Sequence, residues 1–134
     1  MELRLATKTD LWKVKSALVR KHIPYCTAEQ IQKDYDNKCL YVVAENNTPL
    51  AITSVIVDSV HGYTALKRGC VLNKKNYGKG IMRFSLTELS KRLHGTIGAT
   101  PWITNIRARR LFESAGFSLQ YVFNEKWCFY AKEV

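Results

Sequence analysis

The sequence predicts a single α/β domain, because two junctions between strand-like and helix-like stretches carry glycines placed to turn the chain. At the first, Tyr77-Gly78-Lys79-Gly80-Ile81 follows an apolar run ending at Leu72 and precedes Met82, Leu86, Leu89 and Leu93, which recur at helical spacing. At the second, Ala108, Leu111, Phe112 and Ala115 share one helical face, and Thr104 or Asn105 can cap the helix. Gly116 closes it in the left-handed conformation, and Phe117 starts a strand. A chain of 134 residues, 46% hydrophobic and 11% aromatic, can bury one ordinary core but is short for two. One domain spanning 1–134 is the expectation.

Taken in order, Leu3-Arg4-Leu5 reads as a short strand. Thr9 or Asp10 can cap a helix whose apolar positions Leu11, Val14 and Leu18 share a face, and Pro24 stops it. Thr27 and Gln30 have capping-box spacing, which predicts a second helix through about Tyr35. Residues Leu40 to Glu45 and Leu50 to Val57 are dense in β-branched side chains and are joined across Asn46-Asn47-Thr48-Pro49. His61-Gly62 turns into a third strand, Tyr63 to Leu72, completing a meander. The helix after the glycine turn is closed by Gly95, and a poor strand from Thr96 to Pro101 leads to the Asn105 helix. Strands Phe117 to Phe123 and Trp127 to Lys132 flank a turn at Asn124-Glu125-Lys126.

The order β-α-α-β-β-β-α-β-α-β-β, with the two glycine-bearing motifs in these places, resembles the GNAT superfamily of acetyl-coenzyme A-dependent N-acetyltransferases. The resemblance covers most of the chain. It implies a mixed, mostly antiparallel central sheet flanked by helices, with a V-shaped gap between the fourth and fifth strands. The family's pyrophosphate loop, Arg-Gly-x-Gly-x-Gly/Ala, falls on Tyr77, Gly78, Lys79, Gly80, Ile81 and Met82. Tyr77 replaces the usual Arg or Gln, and Met82 replaces a small residue. Glycines at such a turn let backbone N–H groups surround a phosphate, and the helix N-terminus adds partial positive charge. By the same resemblance the pantetheine arm of acetyl-CoA, the cosubstrate, runs along Cys70, Val71 and Leu72, and Asn105 and Arg110 approach it from the next helix. No metal is implied.

Acetylation of an amine requires a neutral nucleophile and a proton for the departing thiolate. Many relatives use a tyrosine as the acid where this chain has Phe112, so Tyr121 and Tyr130 are the substitute candidates. For the base, Asp58 and His61 are the nearest candidates, since Lys67 and Arg68 stand where some relatives place a glutamate. Water can also serve either role. The expected reaction is direct attack of an amine on the thioester in a ternary complex, with a small molecule or a protein as acceptor. Tyr25, Tyr35, Trp102 and Trp127 are candidates for the acceptor site.

A formal net charge of +10 raises a second class of partner, nucleic acid. Lys74, Lys75 and Lys79 cluster at the loop, Arg107, Arg109 and Arg110 in the last helix, and Lys13, Lys15, Arg20 and Lys21 in the first. No helix-turn-helix, zinc-finger or ribonucleoprotein signature accompanies them. The alternative reading is therefore a GNAT-like protein that binds or modifies nucleic acid, or a module that has lost acetyl transfer. With only 11 acidic residues, scattered along the chain, a neutral or anionic amine or a protein amine suits the sequence better than a polycation. Cys26, Cys39, Cys70 and Cys128 form no C-x-x-C pair. No stretch approaches the roughly 20 apolar residues of a membrane span, and Met1-Glu2-Leu3-Arg4 lacks the pattern of a secretion signal. A cytoplasmic location is the expectation.

Overall fold

A computed structural model describes residues 1–21 and 26–134 of the chain. Its elements follow the expected order: β1 (Glu2–Leu5), α1 (Lys8–Lys21), α2 (Ala28–Asp36), β2 (Leu40–Glu45), β3 (Thr48–Asp58) and β4 (Tyr63–Val71) form the first half. A short 3-10 turn, Lys74–Asn76, then leads to α3 (Ile81–Arg92), β5 (Thr96–Ala99), α4 (Ile106–Ser114), β6 (Ser118–Phe123) and β7 (Trp127–Glu133). All seven strands join one sheet in the order β1-β2-β3-β4-β5-β7-β6. Every neighbouring pair is antiparallel except β4 and β5.

The strands' alternating side chains build a core on each face. On one, Leu11, Val14 and Leu18 of α1 and Ile31 of α2 pack with Leu40, Val42 and Ile52 of the sheet. On the other, Ile81, Leu86 and Leu89 of α3 pack with Leu66, Ile97, Cys128 and Tyr130, and Leu111 and Phe112 of α4 lie against that group. The sheet is thus a partition between two helical layers.

Several boundaries differ from the sequence reading for local reasons. Thr7, rather than Thr9 or Asp10, caps α1: its hydroxyl accepts from the Asp10 N–H at 3.1 Å, and the Asp10 carboxylate accepts from the Thr7 N–H at 2.9 Å. Asp10 therefore sits inside the first turn as the acidic half of a reciprocal cap. Thr27 caps α2 as expected, accepting from the Gln30 N–H at 3.2 Å. Asn46 and Asn47 take φ of 51° and 65°, so two residues suffice to turn β2 into β3. Pro49 then falls inside β3, where the pairing with β2 shifts register and the missing N–H is tolerated. The strand expected over Thr96 to Pro101 stops at Ala99. Pro24 and Tyr25 lie outside the described residues.

Asp10 is almost fully buried and also accepts from Arg4 Nε and Nη2, at 3.2 and 3.0 Å, tying β1 to α1. Burial pushes its carboxyl pKa up, but the bonds from Arg4 and Thr7 outweigh burial and hold it below the usual aspartate value. A lowered folded-state pKa contributes stability above the unfolded value, lost as pH falls through the folded one. Asp10→Asn should therefore cost about 1 to 3 kcal/mol in urea denaturation at pH 7. The gap from the unchanged protein should narrow as the pH is taken below the aspartate range.

Candidate active site

Between Ile52↔Cys70 and Ser54↔Lys67 the β3–β4 register shifts, so that one residue, Thr53, opposes two, Arg68 and Gly69. This is a β-bulge, which bends and twists the strand that carries it. Arg68 sits at its centre with φ of 54°, unusual for a residue with a side chain. β5 runs parallel to β4 only at Thr64↔Ile97 and Ala65↔Gly98. Beyond Ala99 the chain keeps company with β7 instead: Cys128 N–H donates to the Pro101 carbonyl at 2.9 Å, and Trp102 bridges Trp127. β4 bends one way and residues 99–102 go the other, and a cleft of about 430 Å³ opens between them.

The bulge is anchored from α2. Arg68 donates from Nε to Asp34 Oδ2 at 2.7 Å and from Nη2 to Oδ1 at 2.9 Å, a two-pronged pairing with a buried carboxylate. Ser54 of β3 donates to the same carboxylate. Asp34 thus joins α2 to both strands flanking the bulge and neutralises the Arg68 charge beside the cleft.

The two mouths of the cleft differ in chemistry. Cross-strand partners share a face, so Lys67, opposite Ser54, lies on the α2 side with Arg68. Trp127 is on that side too, because its neighbour Cys128 belongs to the core under α3 and α4. Gln30 from α2, Lys67, Arg68, Trp102 and Trp127 line this mouth, the two indoles packed edge to face at 5.1 Å. Towards the other face the lining is Thr53, Leu66, Met82 and Leu86, with Asn105, Ala108, Leu111 and Phe112 from α4 and its cap. Gly69 lies between, exposed, and a Cβ there would stand 3.0 Å from the Met82 terminal methyl.

An acetyltransferase of the GNAT family from Bacillus cereus matches 98% of this chain over 96% of its own, with a TM-score of 0.84 and 15% identity. The aminoglycoside acetyltransferase AAC(6')-Ib, in complex with coenzyme A and kanamycin, matches 98% over 93% of its length, with a TM-score of 0.77 and 22% identity. The ribosomal-protein-S18-alanine N-acetyltransferase from Escherichia coli matches 99% over 93%, with a TM-score of 0.71 and 17% identity. The chain has the GNAT acetyltransferase fold. No protein-family model matches its sequence, and no curated protein does.

In this GNAT fold the loop before α3 is open backbone. Gly78 and Gly80 take φ of 76° and 74°, and a Cβ on either would meet nothing within 4 Å. Gly80 is the N-cap of α3 and offers no side-chain bond to the first-turn N–H groups. Ile81 is buried in the core, Lys79 is exposed, and Met82 reaches the cleft, so the loop sits at the cleft's edge. The Arg107 guanidinium lies 5.2 Å from the centre of the Tyr77 ring, joining the loop to α4. Asn105 lines the cleft and caps α4, accepting from the Ala108 N–H at 3.1 Å. Arg110 is exposed on α4. On β4, Cys70 and Val71 pair with Ile52 and Ala51, while the Leu72 N–H is committed to the Leu50 carbonyl at 2.9 Å.

None of the four residues considered for proton transfer lines the cleft. Asp58 and His61 bond each other in the β3–β4 turn, Nδ1 to Oδ2 at 2.8 Å, at the end where β4 and β5 are still paired. Bonds from the His61 backbone and ring hold the Asp58 carboxyl below its usual value, which weakens it as a base. Tyr121 is exposed on β6, against Phe123 and Phe129. Tyr130 is fully buried, donating to Glu113 at 2.7 Å and accepting from Arg109 Nε at 3.1 Å. Burial, then the bond to Glu113, push its hydroxyl pKa up. Phe112, stacked on Tyr130, is the side chain that faces the cleft. Tyr35 packs in the core under α1 and α2.

Gly69, Thr53 and the Asp34–Arg68 pair are not among the site residues expected from the sequence. A glycine inside a β-rich run signals a bulge or a close backbone approach, and Gly69 carried that signal. Among the described residues no group of His, Cys, Asp or Glu is placed to hold a metal ion, and no helix is long and apolar enough to cross a membrane.

Removing Asp34 leaves Arg68 partly buried without its counter-charge. Asp34→Ala should destabilise the fold by about 3 kcal/mol, read from denaturant midpoints at constant slope. The doubly neutral Asp34→Ala, Arg68→Met protein should recover part of that loss.

Proposed function

We propose that the protein transfers an acetyl group from acetyl-CoA to a primary amine, the amine attacking directly in a ternary complex. The observation that carries this reading is the opening of the sheet at the Arg68–Gly69 bulge, with the glycine loop before α3 at its edge. The residues present fit coenzyme A. The loop offers the amides of Gly78, Lys79, Gly80 and Ile81 to a pyrophosphate without side chains in the way, and the dipole of α3 adds to their charge. Lys79 and Arg110 supply cations, Cys70 and Val71 present the β4 edge to the pantetheine arm, and Asn105 approaches from α4. Tyr77, under Arg107, takes a place on the loop's flank, and Met82 narrows the cleft beside Gly69.

Acetyl-CoA supplies an activated acyl group as a thioester. The chain holds amine and thioester together through the gap in the sheet, so proximity and backbone polarisation carry the rate. Among the described residues lining the cleft none is Asp or Glu, and Lys67 is cationic. Such surroundings disfavour an ammonium and favour the neutral amine that reacts, which lessens the need for a dedicated base. Water takes and returns the protons in this reading; Tyr130, Tyr121, Asp58 and His61 stand away from the cleft.

Calorimetric titration with acetyl-CoA and with coenzyme A tests the cofactor assignment, and thiol release with amine acceptors tests transfer. Binding without release for any amine would identify a coenzyme A-binding module instead. Gly80→Trp forces a bulky residue into a left-handed position at about 1 to 2 kcal/mol and fills the open loop. It should abolish acetyl-CoA binding while circular dichroism stays that of the folded protein, and unchanged affinity would remove the loop assignment. Phe112→Tyr puts a phenol into the cleft and should raise kcat; equal kcat in a steady-state comparison would mean that protonation of the thiolate does not limit turnover.

A further inference from the structure

The mouth of the cleft on the α2 side is cationic and aromatic at once. Arg68 is neutralised by Asp34, but Lys67, on the same face, is exposed and its side chain makes no hydrogen bond or ion pair among the described residues. No carboxylate among the described lining residues offsets it. Trp102 is 55% exposed although it packs edge to face on Trp127, so a broad apolar surface stays open at the same mouth. Gln30 adds a neutral polar group from α2. A polycation would meet an uncompensated positive charge and no acidic group to hold it. An anion would meet a lysine with no competing partner.

From this we infer that the acceptor is a small primary amine that also bears an anionic group, a carboxylate or a phosphate, which Lys67 binds while the rest of the molecule packs against Trp102 and Trp127. The inference rests on the acetyltransferase reading. It assigns Lys67 to specificity. The anion's attraction to Lys67 draws the acceptor to the mouth, and the amine at its other end reaches the gap beside Gly69.

The test follows thiol release by the intact protein saturated with acetyl-CoA. Acceptors are the common free α-amino acids and phosphoethanolamine, their uncharged counterparts (amino acid amides and ethanolamine), and spermidine as a polycation. The best acidic amine should exceed its uncharged counterpart by roughly tenfold in kcat/KM, the yield of one charge-assisted contact. Lys67→Glu should erase that preference by raising KM for the acidic amine, with acetyl-CoA affinity by calorimetry unchanged. Rescue by Lys67→Arg would confirm that the charge is what matters. Equal or better turnover of amides, ethanolamine or spermidine overturns the inference, as does a preference that survives Lys67→Glu. If acetyl-CoA binds and no acidic amine is acetylated, the acceptor inference alone falls. If acetyl-CoA does not bind, the acetyltransferase reading falls and this inference with it.

Discussion

Arg68 holds a left-handed backbone conformation in the middle of a strand, which costs a residue with a side chain about 1 kcal/mol or more. Two charge-assisted hydrogen bonds to Asp34 keep it there, and Ser54 fastens the same carboxylate to the neighbouring strand. Much else follows from that constraint. The bulge bends β4 at the point where β5 ends, so the sheet parts and does not continue as a parallel ladder. Because the anchor is on α2, the helix that lines one mouth of the cleft also sets the strand geometry of its wall.

The far side of the opening is shaped by β7. After Ala99 the chain is held by the Pro101 carbonyl and the Trp102–Trp127 bridge, which carry it away from β4. Gly98 belongs to the same device. A Cβ there would stand 2.8 Å from the Phe129 ring, so only glycine lets that aromatic lie against the strand. Glycine weakens a strand by propensity, yet at Gly98 it is the residue that the packing of β5 requires.

Neutralising Arg68 while leaving Lys67 unpartnered gives the cleft one available cation on its α2 side among the described residues. The opposite side is mostly apolar, with the glycine loop at its edge. A sheet with a gap between two chemically distinct mouths suits a reaction that brings two molecules together while keeping their binding surfaces apart. The Arg109–Tyr130–Glu113 chain, centred on the buried Tyr130, lies behind Phe112 and ties α4 to β7.

The order of elements, the two glycine junctions, the cap at Thr27, the α4 cap at one of Thr104 and Asn105, and the place of the candidate loop were all legible along the chain, since each rests on residues close in sequence. The cap of α1 lies two residues before Thr9 and three before Asp10, the two expected caps, because Asp10 resembles a cap and is in fact its partner. Of the four aromatics expected at an acceptor site, Trp102 and Trp127 line the cleft, Tyr35 packs against a core and Tyr25 lies outside the described residues, a distinction that residue type does not carry. The bulge was signalled by Gly69 alone, and nothing local marked its anchor: Asp34 and Arg68 are 34 positions apart. The proton-transfer candidates show the same limit, since a tyrosine, aspartate or histidine carries the right chemistry whether it faces a cleft, a turn or a packed core. Sequence by itself determined which segments become helices and strands and where the chain reverses, because those are short-range properties of the backbone. Only the tertiary structure decided where the sheet parts, which charge is neutralised and which is left without an ion-pair partner among the described residues, because each depends on contacts between residues distant along the chain.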